Sequence, residues 1–202
     1  RHLVDPVELF TDRETVEDAG DALTDERLKV VQVRGRNALR DGAAVQTVLD
    51  SLAWLGLTYD GAPLYQSTQR ARHLEVAEML LTKGAAYKSD KGGTGKGEAI
   101  VFKMPGTDIS FRDLVKGEIT KKAEDLKDFV IVRSDGSPVF HLGNVVDDIT
   151  MGITHVIRGD DHVENTFKHV AMYAAIGAPM PQFAHLPMIV NAQGKPYSKR
   201  DG

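Results

Sequence analysis

Two clusters of residues are suited to chemistry. The first is Arg158-Gly159-Asp160-Asp161-His162, delivered by Thr154-His155-Val156-Ile157, and the second is Ser198-Lys199-Arg200, reached through Pro196 and Tyr197. The apolar run ahead of Arg158 has the character of a strand, so its guanidinium emerges at a strand's carboxyl end, where open α/β sheets bind their ligands. There the planar fork can grip a carboxylate or phosphate through paired hydrogen bonds. From placement alone, an ion pair with Asp160 or Asp161 is an equally good reading. Ser198-Lys199-Arg200 follows a turn at Gly194, in a segment too polar for a core. Adjacent cations and a hydroxyl on a loop suit phosphoryl chemistry, where catalysis is mostly positioning and neutralisation of charge on the leaving oxygens. A Lys-Arg pair taken alone is more often simply solvated. Together the clusters describe a site for a carboxylate and a phosphoanhydride.

Other chemistries fit less well. Asp147-Asp148, Asp160-Asp161 and the histidines His141, His155, His162, His169 and His185 form a tempting ligand set. A metal cage needs convergent ligands, and neither His-x-x-x-His nor His-Glu-x-x-His spacing occurs, so no metal ligand is assigned. A metal-dependent phosphohydrolase stays a minor alternative. Asp147 and Asp148 are expected to cap and orient backbone near a helix end. Gly92-Gly93-Thr94-Gly95-Lys96-Gly97 imitates a P-loop, but Asp90 stands where the pattern needs Gly and Gly97 where it needs Ser or Thr. No Gly-x-Ser-x-Gly elbow is present either.

The elements that position these residues follow from periodicity. Val45, Val48, Leu49, Leu52 and Leu55 fall at helical spacing before a stop at Gly56, which predicts an amphipathic helix from residue 43. A turn over 63–67 leads to a second helix over 68–83, with Leu74, Ala77, Leu80 and Leu81 inward and Gly84 as its end. Between 98 and 132 the period drops to two, predicting short strands at 99–102, 109–112, 117–120 and 128–132. These are expected to form one small antiparallel insertion. A helix over 142–151, a strand over 155–157, a helix over 163–176 and short strands at 183–185 and 188–190 complete an α/β pattern. The opening 42 residues are acidic and then basic, with a possible strand at 28–33, and suggest no function.

Composition limits the class. A chain of 202 residues with 42% hydrophobic and 27% charged side chains can bury a sizeable core rather than stay disordered. It has no cysteine, which excludes disulfides and thiolate zinc sites. No apolar run approaches the length of a membrane span, and the first residues do not resemble a secretory signal, so a cytoplasmic chain is expected. A net charge of −4 means that any RNA contact must come from a local patch.

Several ordered segments carry a resemblance: Leu52-Ala53-Trp54-Leu55-Gly56-Leu57, Tyr65-Gln66-Ser67, Asp128-Phe129-Val130-Ile131-Val132-Arg133-Ser134-Asp135-Gly136, Asn144-Val145-Val146-Asp147-Asp148, Met151-Gly152-Ile153-Thr154-His155-Val156-Ile157-Arg158-Gly159, Phe183-Ala184-His185-Leu186-Pro187 and Ser198-Lys199-Arg200. With these, the stretch 43–202 resembles glutamyl-tRNA synthetase, a class I aminoacyl-tRNA synthetase. The resemblance implies a Rossmann-like α/β catalytic domain with a small α+β insertion, using ATP and Mg2+ to activate glutamate and pass it to tRNA(Glu). It divides the chain into an N-terminal segment over 1–42, a first part of the nucleotide-binding domain over 43–84, an inserted acceptor-end-binding domain over 85–139, and the second half of the nucleotide-binding domain over 140–202. A monomer without membrane contact is expected.

By the same resemblance, Phe140, His141, Asn144 and Arg158 belong to the glutamate pocket. Asp161 lies near ATP, Met188 and Ile189 present backbone to adenine, and Ser198, Lys199 and Arg200 form the pyrophosphate loop, with Lys199 as its main cation. Lys103, Lys116, Lys121, Lys122 and Lys127 would contact acceptor phosphates. There are departures: Phe140 stands where a tyrosine is common, and Pro196 replaces the loop's first lysine. No Pro-Ser-Pro-Thr-Gly segment or first ATP signature is found, and His141-Leu142-Gly143-Asn144 only imitates one. The alternative is a non-catalytic paralogue or fragment that binds tRNA or a synthetase.

Overall fold

The computed structural model describes residues 8–11, 30–32, 42–57, 62–90 and 97–188. Strands β1 (Glu8–Thr11) and β2 (Val30–Gln32) pair antiparallel. Helix α1 (Gly42–Trp54), a 3-10 turn (Gln66–Gln69) and helix α2 (Arg70–Thr82) follow. Strands β3 (Ala86–Ser89), β4 (Ala99–Phe102), β5 (Ile109–Asp113), β6 (Gly117–Lys121) and β7 (Phe129–Val132) occupy the middle of the chain. It then alternates through α3 (Phe140–Met151), β8 (His155–Gly159), α4 (Val163–Ile176) and β9 (Gln182–Leu186). Among the described residues, no helix is long and apolar enough to cross a membrane.

The two helices before and after β8 end where glycine permits it. Gly152 and Gly177 both sit in the left-handed region, at φ 67° and 83°, and their amides bond back to the last turn of α3 and α4. A side chain would be strained there, so helix propagation stops. The β8–α4–β9 unit that results brings β8 and β9 together in parallel, with His155 opposite Gln182 and Gly159 opposite Leu186. This is the crossover unit of a nucleotide-type α/β fold.

The strands expected to form one insertion divide between two sheets. β3, β4 and β7 make a three-stranded antiparallel sheet, whereas β5 and β6 join the main sheet in the order β2-β1-β8-β9-β5-β6. The cause is burial. β5 alternates strictly, with Ile109, Phe111 and Asp113 inward, and Phe111 meets Phe167 of α4 and Phe183 of β9 edge-on at 5.2 and 5.8 Å. Each such aromatic contact adds about 0.5–1.5 kcal/mol beyond area burial. β1 lies antiparallel on the outer edge of β8, with Leu9 opposite Ile157.

The helices pack on one continuous core that includes Leu80, Leu142, Val145, Val156, Phe167 and Met172. On α2 the expected Ala77 and Leu80 are buried, joined by His73 and Val76, while Leu74 and Leu81 are only partly buried. The burial of His73 has an electrostatic reason. His73 Nε2 lies 2.6 Å from Asp147 Oδ1 on α3, and Gln66 Nε2 donates to Asp147 Oδ2 at 2.8 Å. Asp147 is therefore a buried clasp between α3 and the α2 region rather than a cap, and Asp148 faces the other way, 3.4 Å from the Tyr173 hydroxyl on α4. Leu52 on α1 is buried, while Leu55, just past the helix end, is 60% exposed.

Candidate active site

Arg158 sits on β8, one residue before the strand's end, and is 5% exposed. Its Nη2 donates to Thr166 Oγ1 at 2.7 Å, and its Nε donates to His185 Nε2 at 3.2 Å. The guanidinium also lies 5.9 Å from the Phe183 ring centre. Two of its nitrogens are thus fixed by α4 and β9, so the fork is rigid before any ligand arrives. Asp160 meets Lys116 Nζ at 2.9 Å, and the Asp161 carboxylate folds back over Gly159, where a Cβ would come within 2.6 Å of its Oδ1. Gly159 is therefore required for that approach. The Asp161 side chain stays 54% exposed.

His141 and Asn144 are three residues apart on α3 and share a face. Phe140, at the helix start, is 37% exposed and stacks edge-on against the His141 ring at 5.3 Å. His141 Nδ1 lies 3.2 Å from His169 Nε2, and its Nε2 lies 3.4 Å from Lys168 Nζ. Asn144 is fully buried, and neither polar atom of its side-chain amide has a hydrogen-bond partner among the described residues. Thr166 and His169, the α4 partners of Arg158 and His141, are one turn apart, about 4.5 Å along the helix axis. Helix α4 is thus the ruler that brings the Arg158 and His141 groups together.

Of the expected nucleotide contacts, Asp161 lies in the 3-10 turn (Asp160–His162) that leads into α4, and Met188, after β9, is 43% exposed. Ile189, Ser198, Lys199 and Arg200 lie outside the described residues. Among the described residues, no group of three or more His, Asp or Glu side chains is placed to hold a metal ion. A cavity of about 440 Å3 lined by Ile153, His155, Met180 and Gln182 opens at the amino end of β8. That is roughly 10 Å along the strand from Arg158.

Three of the five lysines expected to meet phosphate are engaged with carboxylates instead. Lys116 pairs with Asp160, Lys121 with Glu164, and Lys122 with Asp108. Lys103 and Lys127 are exposed.

Sequence reasoning missed Asp113 and the role of His185. Asp113 Oδ2 lies 2.6 Å from His185 Nδ1, with both side chains 0% exposed. Burial works against the Asp113 carboxylate, yet hydrogen bonds from His185 and from the Lys116 and Val115 amides hold its pKa below the ordinary range. Burial likewise pushes the His185 imidazole down, aided by the nearby Arg158 cation and outweighing the bond to Asp113. The one signal for Asp113 was its inward place in the alternation Ile109, Phe111, Asp113.

The family described as tRNA synthetases class I (E and Q), catalytic domain, matches residues 38–94 and 91–202. A glutamate–tRNA ligase of Nitrosospira multiformis is 40% identical, with 79% of this chain and 41% of that protein covered. One from Xanthomonas oryzae pv. oryzae is 42% identical with the same coverage. This chain thus spans about two fifths of the length of these curated relatives. Among solved structures, a glutamate tRNA ligase from Elizabethkingia meningosepticum, in complex with its amino acid, superposes with a TM-score of 0.72 at 27% identity, covering 79% of this chain and 42% of that one.

Proposed function

Because the chain belongs to the class I tRNA synthetase family for glutamate and glutamine, as part of its catalytic domain, we propose that it works in the ATP-dependent activation of glutamate and its transfer to tRNA(Glu). In this reading Arg158, Phe140, His141 and Asn144 hold the polar groups of glutamate. Asp161 faces ATP, Met188 and Ile189 offer backbone to adenine, and Ser198, Lys199 and Arg200 neutralise the pyrophosphate side. ATP, with Mg2+, supplies the phosphoanhydride that makes acyl activation favourable when bound. The residues suit it: Asp161 and Met188 are accessible, and Mg2+ carried by phosphate oxygens and water needs no cage of protein ligands. Residues 43–84 and 140–202 serve as the nucleotide-binding domain and 85–139 as the acceptor-end arm. The reading places the chain in the cytoplasm as a monomer.

The observation that carries it is Asn144. A buried amide without partners costs about 1–3 kcal/mol, and a polar substrate reaching it would remove that cost. It lies one turn from His141 on α3, whose ring meets His169 on α4. The test is glutamate-dependent ATP–pyrophosphate exchange, expected in the unsubstituted chain and lowered about 100-fold or more by Lys199→Ala. Exchange that is absent, or unchanged in the variant, overturns the enzyme reading.

A second reading, a non-catalytic module binding tRNA or a synthetase, is favoured by one observation. β1 runs antiparallel on the edge of β8, where a doubly wound nucleotide fold carries a parallel strand. Tight tRNA binding without exchange would select it.

A further inference from the structure

The proposed substrate arginine does not stand alone. Arg158 is the end of a buried chain of hydrogen bonds that begins 45 positions earlier, at Asp113, the last residue of β5. Asp113 Oδ1 accepts the amides of Val115 and Lys116 at 3.0 and 2.9 Å, which closes the turn between β5 and β6. Its Oδ2 faces the His185 amide at 3.1 Å and the His185 Nδ1 at 2.6 Å. On the far side of the ring, His185 Nε2 lies 3.2 Å from Arg158 Nε and 2.9 Å from Thr166 Oγ1.

Donor and acceptor counting fixes the state of this chain. An arginine nitrogen only donates, so His185 Nε2 must be a bare lone pair to receive it. The ring's proton is then on Nδ1, where an ionised Asp113 accepts it. A doubly protonated ring would aim an N–H at the Arg158 N–H and add a cation beside a cation. A ring protonated only at Nε2 would turn the Nδ1 lone pair toward a carboxylate at 2.6 Å. Only the neutral Nδ1–H tautomer satisfies both ends. Thr166 Oγ1 accepts from Arg158 Nη2, and its own proton reaches His185 Nε2 or the His162 carbonyl.

We propose that Asp113 and His185 are positioning residues for glutamate recognition: the carboxylate fixes the His185 tautomer, and the imidazole fixes the plane of the Arg158 guanidinium. The glutamate part of this rests on the function proposed above. The linkage itself rests on the four side chains alone. It also gives the β5–β6 turn a direct mechanical tie to the substrate arginine, because one carboxylate closes the turn and holds the ring. An amide cannot replace it. Four N–H groups face the two Asp113 oxygens, and Asn would turn a donor toward one pair of them.

The test uses the full 202-residue chain with nitrogen-15 labelling, and the variants His185→Phe, His185→Gln and Asp113→Asn. In the unsubstituted chain, the His185 nitrogens are expected to report Nδ1 protonated and Nε2 bare, and the Arg158 Nε–H to give a slowly exchanging resonance. His185→Phe, which keeps a ring but no acceptor, is expected to lose that resonance and to raise the KM for glutamate about tenfold, leaving the KM for ATP unchanged. His185→Gln can place an amide oxygen near the Nε2 position and is expected to restore the resonance and most of the glutamate KM; it carries the test if the phenylalanine variant does not fold. Asp113→Asn is expected to move the His185 proton toward Nε2 and weaken the Arg158 signal. An Arg158 resonance and a glutamate KM unmoved by His185→Phe and by Asp113→Asn overturn the proposal. If the unsubstituted chain shows no glutamate dependence, the proposed function fails and takes the named ligand with it. The Arg158 resonance then decides the linkage: lost in His185→Phe it stands, kept it falls.

Discussion

Asp147 Oδ1 and His73 Nε2 lie 2.6 Å apart with side chains 1% and 3% exposed, a dry polar tie between α2 and α3. Replacing Asp147 by Ala leaves both His73 and Gln66 without their acceptor. We expect a loss of about 3 kcal/mol of unfolding free energy, the scale of breaking a dry polar pair. Urea titration followed by circular dichroism measures it, and a loss under about 0.5 kcal/mol would show that the clasp is inert.

Gly143 tests the same clasp from the other side. A Cβ there would come within 2.8 Å of Gln66 Nε2, so Gly143→Ala must push the amide off Asp147. That costs about 1 kcal/mol, while Ala in place of Gly favours the helix by about as much. The single variant should be near neutral. In a Gln66→Ala background the clash is gone, and Gly143→Ala should stabilise by about 1 kcal/mol. Additive effects in this cycle would refute the contact.

Acid should weaken the fold in two steps. His155 and His185 are both held below the ordinary histidine range by burial, so below about pH 6.5 the unfolded chain takes up protons that the folded one refuses. Stability therefore falls as pH drops from that point. Asp113, also held low, adds a second decline below about pH 3.9, completed as pH passes its folded value. Urea midpoints between pH 7.5 and 5 should decline in the parent and flatten in a His155→Gln, His185→Gln double variant. A flat parent profile would sink this account.

Phosphate contact should be uneven among the lysines. Lys103 and Lys127 are exposed, whereas Lys122 is already 2.8 Å from Asp108. If the arm binds tRNA, Lys103→Ala and Lys127→Ala should each reduce the slope of log affinity against log salt by about 1, with a smaller change for Lys122→Ala. Filter binding across a potassium chloride series provides the slopes. Equal effects at all three positions would contradict the ion-pair geometry.

What could be read from the chain was local. The α4 boundaries followed from apolar spacing and Gly177, and β8 from four consecutive residues ending at Ile157. On α2, Ala77 and Leu80 were read correctly, but His73 was missed because it counts as polar until Asp147, 74 positions away, is beside it. Asp113 and His185 were harder still, since they meet across 72 positions and the alternation that turns Asp113 inward does not say what it meets. Membership of β5 in the main sheet was likewise invisible, because it depends on pairing with β9, a contact that no local pattern encodes. Arg158 was found by its strand end, but its partners Thr166 and His185 were not.

The pairing of β5 with β9 bears on how this protein could be taken apart. Splicing out residues 85–139 to obtain a smaller α/β unit would peel a neighbour from a strand whose Phe183, Ala184 and His185 are all buried. The cut would leave bare amides and carbonyls along a hydrophobic border, an invitation to self-association. This stretch is sewn into the main sheet through β5, and trimming it calls for a replacement seam.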